Sequence, residues 1–367
     1  MFQQKSFGRQ RAWVKPPNSS WGGKMERRVL INLKGHSISI SFDDSNPLYY
    51  FDKKGRLIGA YVDGRNFKRS LDDRLHQQWG IWKDGVRQRR RSVLSECEKR
   101  DFFAQMSQAI VPVYHALLEG RDEGIQITAA RKTDIQRGEA IRWLSQIVAF
   151  DAEARKRDKA AFQSIYKPVT ILPPDQYLSV VLQATEGCSY NQCTFCDFYK
   201  GRRFHIKSET EFQKHIEAVK SFLGESMVLR KSVFLADANA LMILQDQLLR
   251  FFEQVNAAFD IIPDKRDANT AAWKAEHPIH FNGIYSFIDA FSTRKSSASD
   301  FAALRQLNLK RVYIGVETGN AGANDEKAGT NAVGHPEKYR NGARFGPGSN
   351  GHGRAGRVPR GPAPPTR

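Results

Sequence analysis

Hydrophobic and polar residues alternate over Arg28–Leu33 and His36–Phe42, and again over Leu48–Phe51 and Arg56–Val62 around the turn Asp52-Lys53-Lys54-Gly55. Period-two alternation bounded by turn residues predicts short strands and a small sheet. Residues Arg69–Gly80 and a basic run, Lys83, Arg87, Arg89, Arg90 and Arg91, come next. Apolar positions then recur at helical spacing over Phe102–Leu118 and Ile141–Phe162. The pattern predicts a small α+β domain over residues 29–166.

Prolines at 168, 173 and 174 interrupt this periodicity, and the residue before a proline is pushed toward extended backbone. Residues 167–175 therefore read as a linker. Beyond it, strand patterns at Tyr177–Gln183, Ser232–Leu235, Ile279–Phe287 and Arg311–Val316 alternate with helical patterns at Ser208–Leu223, Leu241–Phe259 and Ser299–Leu307. Ser208-Glu209-Thr210-Glu211 has the spacing of a capping box at the first of these helices. Strands alternating with helices predict parallel βα units over residues 176–320, with functional loops at the carboxyl ends of the strands. Four units make half of an eight-unit barrel, so the fold class is α/β with an incomplete, TIM-like barrel.

The flanks lack such patterning. Residues 1–28 hold seven basic residues against Glu26 alone, and residues 321–367 hold ten Gly and six Pro with no Leu or Ile. Both read as disordered. Two readings of the start stay open: Met25 begins the natural chain, or residues 1–28 are a basic tail. At the other end, the compositional break after Asn320 suggests a truncated or frameshifted reading frame. It leaves nothing to cover the fourth strand, and it predicts a poorly stable polypeptide with little turnover.

The net charge of +18 on 367 residues invites a nucleic-acid reading. Its distribution weakens that reading, because the two flanks carry +6 and +5 and leave +7 for the remainder. Only Lys83–Arg91 stays as a local phosphate-gripping candidate, against the alternative of a solvated helix face or turn. A mean hydropathy of −0.54 opposes membrane spans. The longest apolar candidate, Ala109–Leu118, is broken by Pro112 and His115.

Of four cysteines, three sit within nine residues, in Gly187-Cys188-Ser189-Tyr190-Asn191-Gln192-Cys193-Thr194-Phe195-Cys196. This is not a disulfide framework. With no signal-peptide pattern at Met1, it reads as a ligand set kept reduced in the cytoplasm. Three thiolates on one loop suit three irons of a [4Fe–4S] cluster, leaving the fourth iron open to a small molecule. A closed ferredoxin-type site would need a further cysteine, and none follows Cys196. A Cys3His zinc site using His205 is the other competitor. Cys97, between Glu96 and Glu98, reads as structural, and His215 as a packed or surface histidine. No P-loop, dinucleotide loop or Gly-x-Ser-x-Gly elbow is present.

The loop, placed after the first strand of a βα series, resembles that of the radical S-adenosylmethionine (SAM) enzymes, with one residue more than their usual spacing between Cys188 and Cys193. The resemblance covers about residues 176–320. It implies a barrel of radical SAM type, a [4Fe–4S] cluster on Cys188, Cys193 and Cys196, SAM as cofactor, and an electron donor such as flavodoxin or ferredoxin. In Ala236-Asp237-Ala238-Asn239-Ala240 it implies contacts to the SAM amino group, with Asp237 preferred over Asn239; either could instead cap a helix starting near Ala240. Glu317, in Gly315-Val316-Glu317-Thr318-Gly319, matches a position lining the SAM site. Phe195 is a candidate for the adenine, Arg294 for the SAM carboxylate, and Tyr285 a neighbour at the end of the third strand. A metal-stabilised RNA-binding protein is the alternative of a different class.

Overall fold

Alternation carries the first part of the chain into a single sheet. The computed structural model describes residues 28–43, 45–129, 136–169, 171–191, 196–263, 270–289 and 297–315. The chain divides between Ser164 and Ile165, within the last turn of a helix and two residues before the boundary expected from the sequence.

In the first unit, strands β1 (Val29–Lys34), β2 (Ser37–Phe42), β3 (Leu48–Asp52), β4 (Leu57–Val62), β5 (Arg65–Arg69), β6 (Leu75–Lys83) and β7 (Val86–Val93) form an antiparallel meander. Helix α1 (Glu96–Leu118) leads to β8 (Ile125–Ala129), which pairs in parallel with the outer edge of β1. Helices α2 (Gln136–Ala149) and α3 (Ala152–Ile165) follow. Ile31, Ile38, Ile40, Phe51, Phe67 and Leu75 point to one face of the sheet and share a core with Phe102, Ile110 and Leu117 of α1 and Trp143 and Leu144 of α2. At the margin of this core Asp73 meets Arg69 at 2.7 Å and Lys99 at 3.1 Å, while Asp158 of α3 meets Arg69 at 3.1 Å.

Two expectations are corrected here. The basic run is not a helix face: Lys83 ends β6, Arg87, Arg89, Arg90 and Arg91 lie on β7, and only Asp84 and Gly85 between them form a turn, at φ 52° and 73°, the positive pair that a tight hairpin requires. The helical pattern over Ile141–Phe162 is two helices. Asp151 accepts from the Ala154 N–H at 2.8 Å and starts α3 afresh, although the apolar spacing runs on past it.

The second unit contains β9 (Ser179–Gln183), the short pair β10 (Thr185–Glu186) and β11 (His205–Ile206), α4 (Glu209–Leu223), β12 (Ser232–Ala236), α5 (Gln245–Ala258), α6 (Thr270–Glu276), β13 (Ile284–Asp289), α7 (Ala298–Gln306) and β14 (Leu309–Gly315). The sheet order is β9-β12-β13-β14, every pairing parallel. Sequential order with a helix in each crossover is the βα series expected from the sequence. Among the described residues the sheet is open, and Ile314 of β14 is 46% exposed. Val180, Leu182, Val233, Leu235 and Ile284 are buried, as are Phe212 of α4 and Phe251 of α5, whose rings stack at 4.4 Å. The pattern over Leu241–Phe259 is corrected to one 3-10 turn (Ala240–Met242) followed by α5. Strand β13 starts at Ile284, five residues later than expected, and α6 has no counterpart in the sequence reading.

The supposed linker begins as part of this unit. The Tyr166 hydroxyl donates to the Val181 carbonyl at 2.9 Å, and the buried Gln183 side chain both accepts from the Lys167 N–H (3.0 Å) and donates to the Lys167 carbonyl (3.1 Å). Side chains thus satisfy the outer edge of β9 where a strand would otherwise pair. The capping box of α4 is present with both arms, Ser208 Oγ accepting from the Glu211 N–H and Glu211 from the Ser208 N–H. Replacing Ser208 with Ala is expected to cost about 1 kcal/mol, read as a lower urea midpoint of the full chain. An unchanged midpoint would show that the cap adds nothing to stability.

Candidate metal centre

The cysteine loop leaves the carboxyl end of β9 and is closed at its base by β10 and β11, where Thr185 pairs with Ile206 and Glu186 with His205. Gly187 opens it at φ 77°, and a Cβ there would stand 3.0 Å from the Arg203 carbonyl oxygen of the returning chain. Only glycine meets both demands without strain. Cys188 and Cys196 are half-buried free thiols; Cys193 and Phe195 lie outside the described residues. Among the described residues no three Asp, Glu, His or Cys side chains converge on one point.

Asn191 organises the loop, a role the sequence reading did not assign it. It sits at φ 46°, a conformation asparagine tolerates better than most residues, and its N–H donates to Cys188 Sγ at 3.4 Å. Its side-chain amide donates to the Tyr199 carbonyl at 2.9 Å, while Lys200 Nζ donates to the Asn191 carbonyl at 3.1 Å. A donor aimed at a cysteine sulfur tunes any metal that the sulfur binds.

Tyr199, buried just beyond the loop, connects it to the carboxyl end of β12. Its hydroxyl donates to Asp237 Oδ1 at 2.8 Å, and the Asp237 N–H donates to Thr185 Oγ1 at 3.1 Å. Asp237 is 3% exposed, and its Oδ2 has no hydrogen-bond partner among the described residues. Burial pushes this carboxyl up to about 6, against the pull of the Tyr199 hydroxyl, the Arg202 charge and the Gly187 N–H. One carboxylate oxygen is therefore held in place while the other is buried and unengaged.

The remaining sequence candidates are distributed unevenly. Asn239 is buried two residues past Asp237, at the N-cap position of the 3-10 turn, and its side chain makes no capping bond. The expected cap by Asp237 or Asn239 is thus corrected. Tyr285 occupies the second position of β13, level with Phe234 and three residues short of Asp237, rather than the carboxyl end of its strand. Its hydroxyl is raised mainly by burial, with Arg311 and Asp175 as its charged neighbours. Those residues belong to a different network, in which Asp175 accepts from Tyr313 (2.7 Å) and Arg311 (2.8 Å). Arg294 and Glu317 lie outside the described residues.

The donor set can be tested against a metal group. Half-buried thiols, one accepting an N–H, suit iron–sulfur ligation, and the orphaned Asp237 oxygen on the same end of the sheet suits an ammonium. His205 fits a zinc ligand less well, because its Nε2 lies 3.4 Å from Glu211 Oε1 in the capping box. Cys97 is exposed on α1, accepting from Arg100 at 3.2 Å, in the first unit. Comparison of the chain with family models, curated proteins and solved structures found no match.

Proposed function

We propose that this chain is a radical SAM protein, in which Cys188, Cys193 and Cys196 ligate a [4Fe–4S] cluster and Asp237 receives the ammonium of SAM. The four parallel βα units are read as the opening part of an incomplete barrel carrying both sites on its carboxyl-end loops. The observation that carries this reading is the buried, unengaged Asp237 Oδ2, tied to the cysteine loop through Tyr199. A lone carboxylate is costly to bury, and a cationic ligand offsets that cost.

When bound, the cluster supplies the electron that divides SAM into methionine and a 5′-deoxyadenosyl radical able to take hydrogen from a substrate. The chain's own residues prepare the site. Asn191 holds Cys188 as an acceptor, Tyr199 fixes the orientation of Asp237, and Gly187 lets the loop return closely on Arg203. Asn239, Phe195, Arg294 and Glu317 are the further SAM contacts this reading assigns, and a one-electron donor such as flavodoxin or ferredoxin is its partner.

Anaerobic reconstitution with iron and sulfide, followed by electron paramagnetic resonance, tests the proposal. An axial [4Fe–4S]+ signal that changes when SAM is added is the expected result, and Cys193→Ala should hold no such cluster. A colourless protein with one stoichiometric zinc would overturn it.

A further inference from the structure

Among the described residues, the first unit has a sheet face to which its helices contribute no core residue, although Ser39 and Ser41 of β2 are buried on it. Every core residue contributed by its strands, from Val29 to Leu75, lies on the face that α1 and α2 pack against, and α3 is tied to that side through Asp158 and Arg69. The intervening positions form the other face. Across the strands these include Leu30 and Lys34 of β1, Tyr50 of β3, Tyr61 of β4 and Lys68 of β5. The β6–β7 hairpin continues the face with Gln78 opposite Arg91, Gly80 opposite Arg89, and Trp82 opposite Arg87.

Two properties of this face matter together. Tyr50, Tyr61 and Trp82 are exposed on it, Trp82 to 75%. Lys34, Lys68, Arg87, Arg89 and Arg91 are exposed beside them. The one carboxylate in this set of register positions, Asp52, is buried and faces Arg56. Gly80 matters to the arrangement: a Cβ there would stand 2.7 Å from Arg87 Nε, so its bare backbone gives the guanidinium room to lie across the strand. Arginines without aromatics are weak ground for nucleic-acid binding, as the linear sequence suggested. Strand pairing supplies Tyr50 of β3 and Tyr61 of β4 from far away in sequence, and the β6–β7 hairpin sets Trp82 opposite Arg87.

From this geometry we infer that this sheet face of the first unit binds single-stranded nucleic acid. Exposed rings offer stacking platforms for bases, and cations without competing carboxylates track the phosphates. By strand spacing and rise, Tyr61 and Trp82 lie about 16 Å apart, so an occupant must be an extended strand rather than one nucleotide. A duplex, whose bases are already stacked on each other, does not exploit the rings. The inference stands on the first unit alone and is independent of the cluster reading.

Arg90 supplies an internal control, because it is exposed on the same strand but pairs with Trp79 on the opposite face. Fluorescence anisotropy of the full chain with labelled 15-nucleotide oligo-U and oligo-dT is the test. Trp82→Ala should weaken binding about tenfold with little change in salt dependence. The triple change R87Q/R89Q/R91Q should lower the slope of log affinity against log salt by about two. Arg89→Gln should weaken binding more than Arg90→Gln, with far-UV circular dichroism confirming that each variant is folded. No binding to either oligonucleotide overturns the inference. So does equal loss in Arg89→Gln and Arg90→Gln, which would mark undirected attraction by the basic chain as a whole. Equal competition by a 15-base-pair duplex, or by polyglutamate of matched charge, also overturns it.

Discussion

Replacing Asp237 with Asn is expected to weaken SAM binding to the reconstituted protein about a hundredfold, the scale for losing one partner of a buried charge pair. The cluster signal without SAM should be unchanged, because among the described residues Asp237 meets Tyr199, Gly187 and the Arg202 charge rather than a cysteine. The same change should make the metal-free protein more stable at pH 8. An ordinary aspartate titrates near 3.8, whereas burial pushes this one up to about 6. The folded state thus binds the proton more tightly than the unfolded chain. Its stabilising effect is full below 3.8 and is lost as pH rises through about 6, leaving a cost of about 3 kcal/mol. Asn resembles the protonated acid and escapes most of that cost, so a gain of about 2 kcal/mol is expected in urea unfolding at pH 8. Stability gained while ligand affinity is lost marks a residue kept for binding. Titration calorimetry showing unchanged SAM affinity would remove Asp237 from the site.

The second large effect belongs to His215 on α4. Its Nε2 accepts from the Gln183 N–H at 3.0 Å, and its ring also bonds the Ile165 carbonyl, so the neutral imidazole bridges α4, the edge of β9 and the segment before it. Burial lowers its titration from 6.5 to about 4, with the nearby Lys207 charge adding to the effect and Glu186 opposing it. Here the unfolded chain binds the proton more tightly. The stability is full above 6.5 and is lost as pH falls through about 4, a cost of about 3 kcal/mol.

Between pH 4 and 6 this term opposes that of Asp237, and the two nearly cancel in the wild type. Removing either exposes the other. Asp237→Asn should make the protein markedly acid-labile below pH 6, whereas His215→Gln, which can both accept and donate, should become more stable as pH falls from 6 to 4. His215→Ala should cost about 3 kcal/mol at pH 7.5 by leaving the Gln183 N–H buried and unsatisfied beside a cavity. Urea midpoints measured from pH 4 to 8 check all three. Parallel pH profiles for wild type and His215→Gln would contradict the assignment.

Much of the second unit was legible in the chain itself. Capping chemistry is local, so Ser208 and Glu211 announced α4, and the βα order followed from alternating periods. The spacing of Cys188, Cys193 and Cys196 likewise singled out its loop, since ligands on one short segment need no tertiary structure to bring them together. Local spacing failed where two patterns overlapped. It ran α2 into α3 through Asp151, and it missed the hairpin of β6 and β7 because exposed arginines replace the usual alternation.

What the sequence by itself determined was the presence of a sheet domain, a βα series and a thiol-rich loop, because hydrophobic period, turn residues and ligand spacing act over a few neighbours. Tertiary structure alone decided which distant groups meet. It paired Tyr199 with Asp237 across 38 residues, set His215 against the edge of β9, and moved Tyr285 away from the candidate site by the register of β13. It also placed Tyr50, Tyr61 and Trp82 on one face with the arginines of β7. Strand pairing and burial set these relations, and both depend on contacts between residues far apart in the chain.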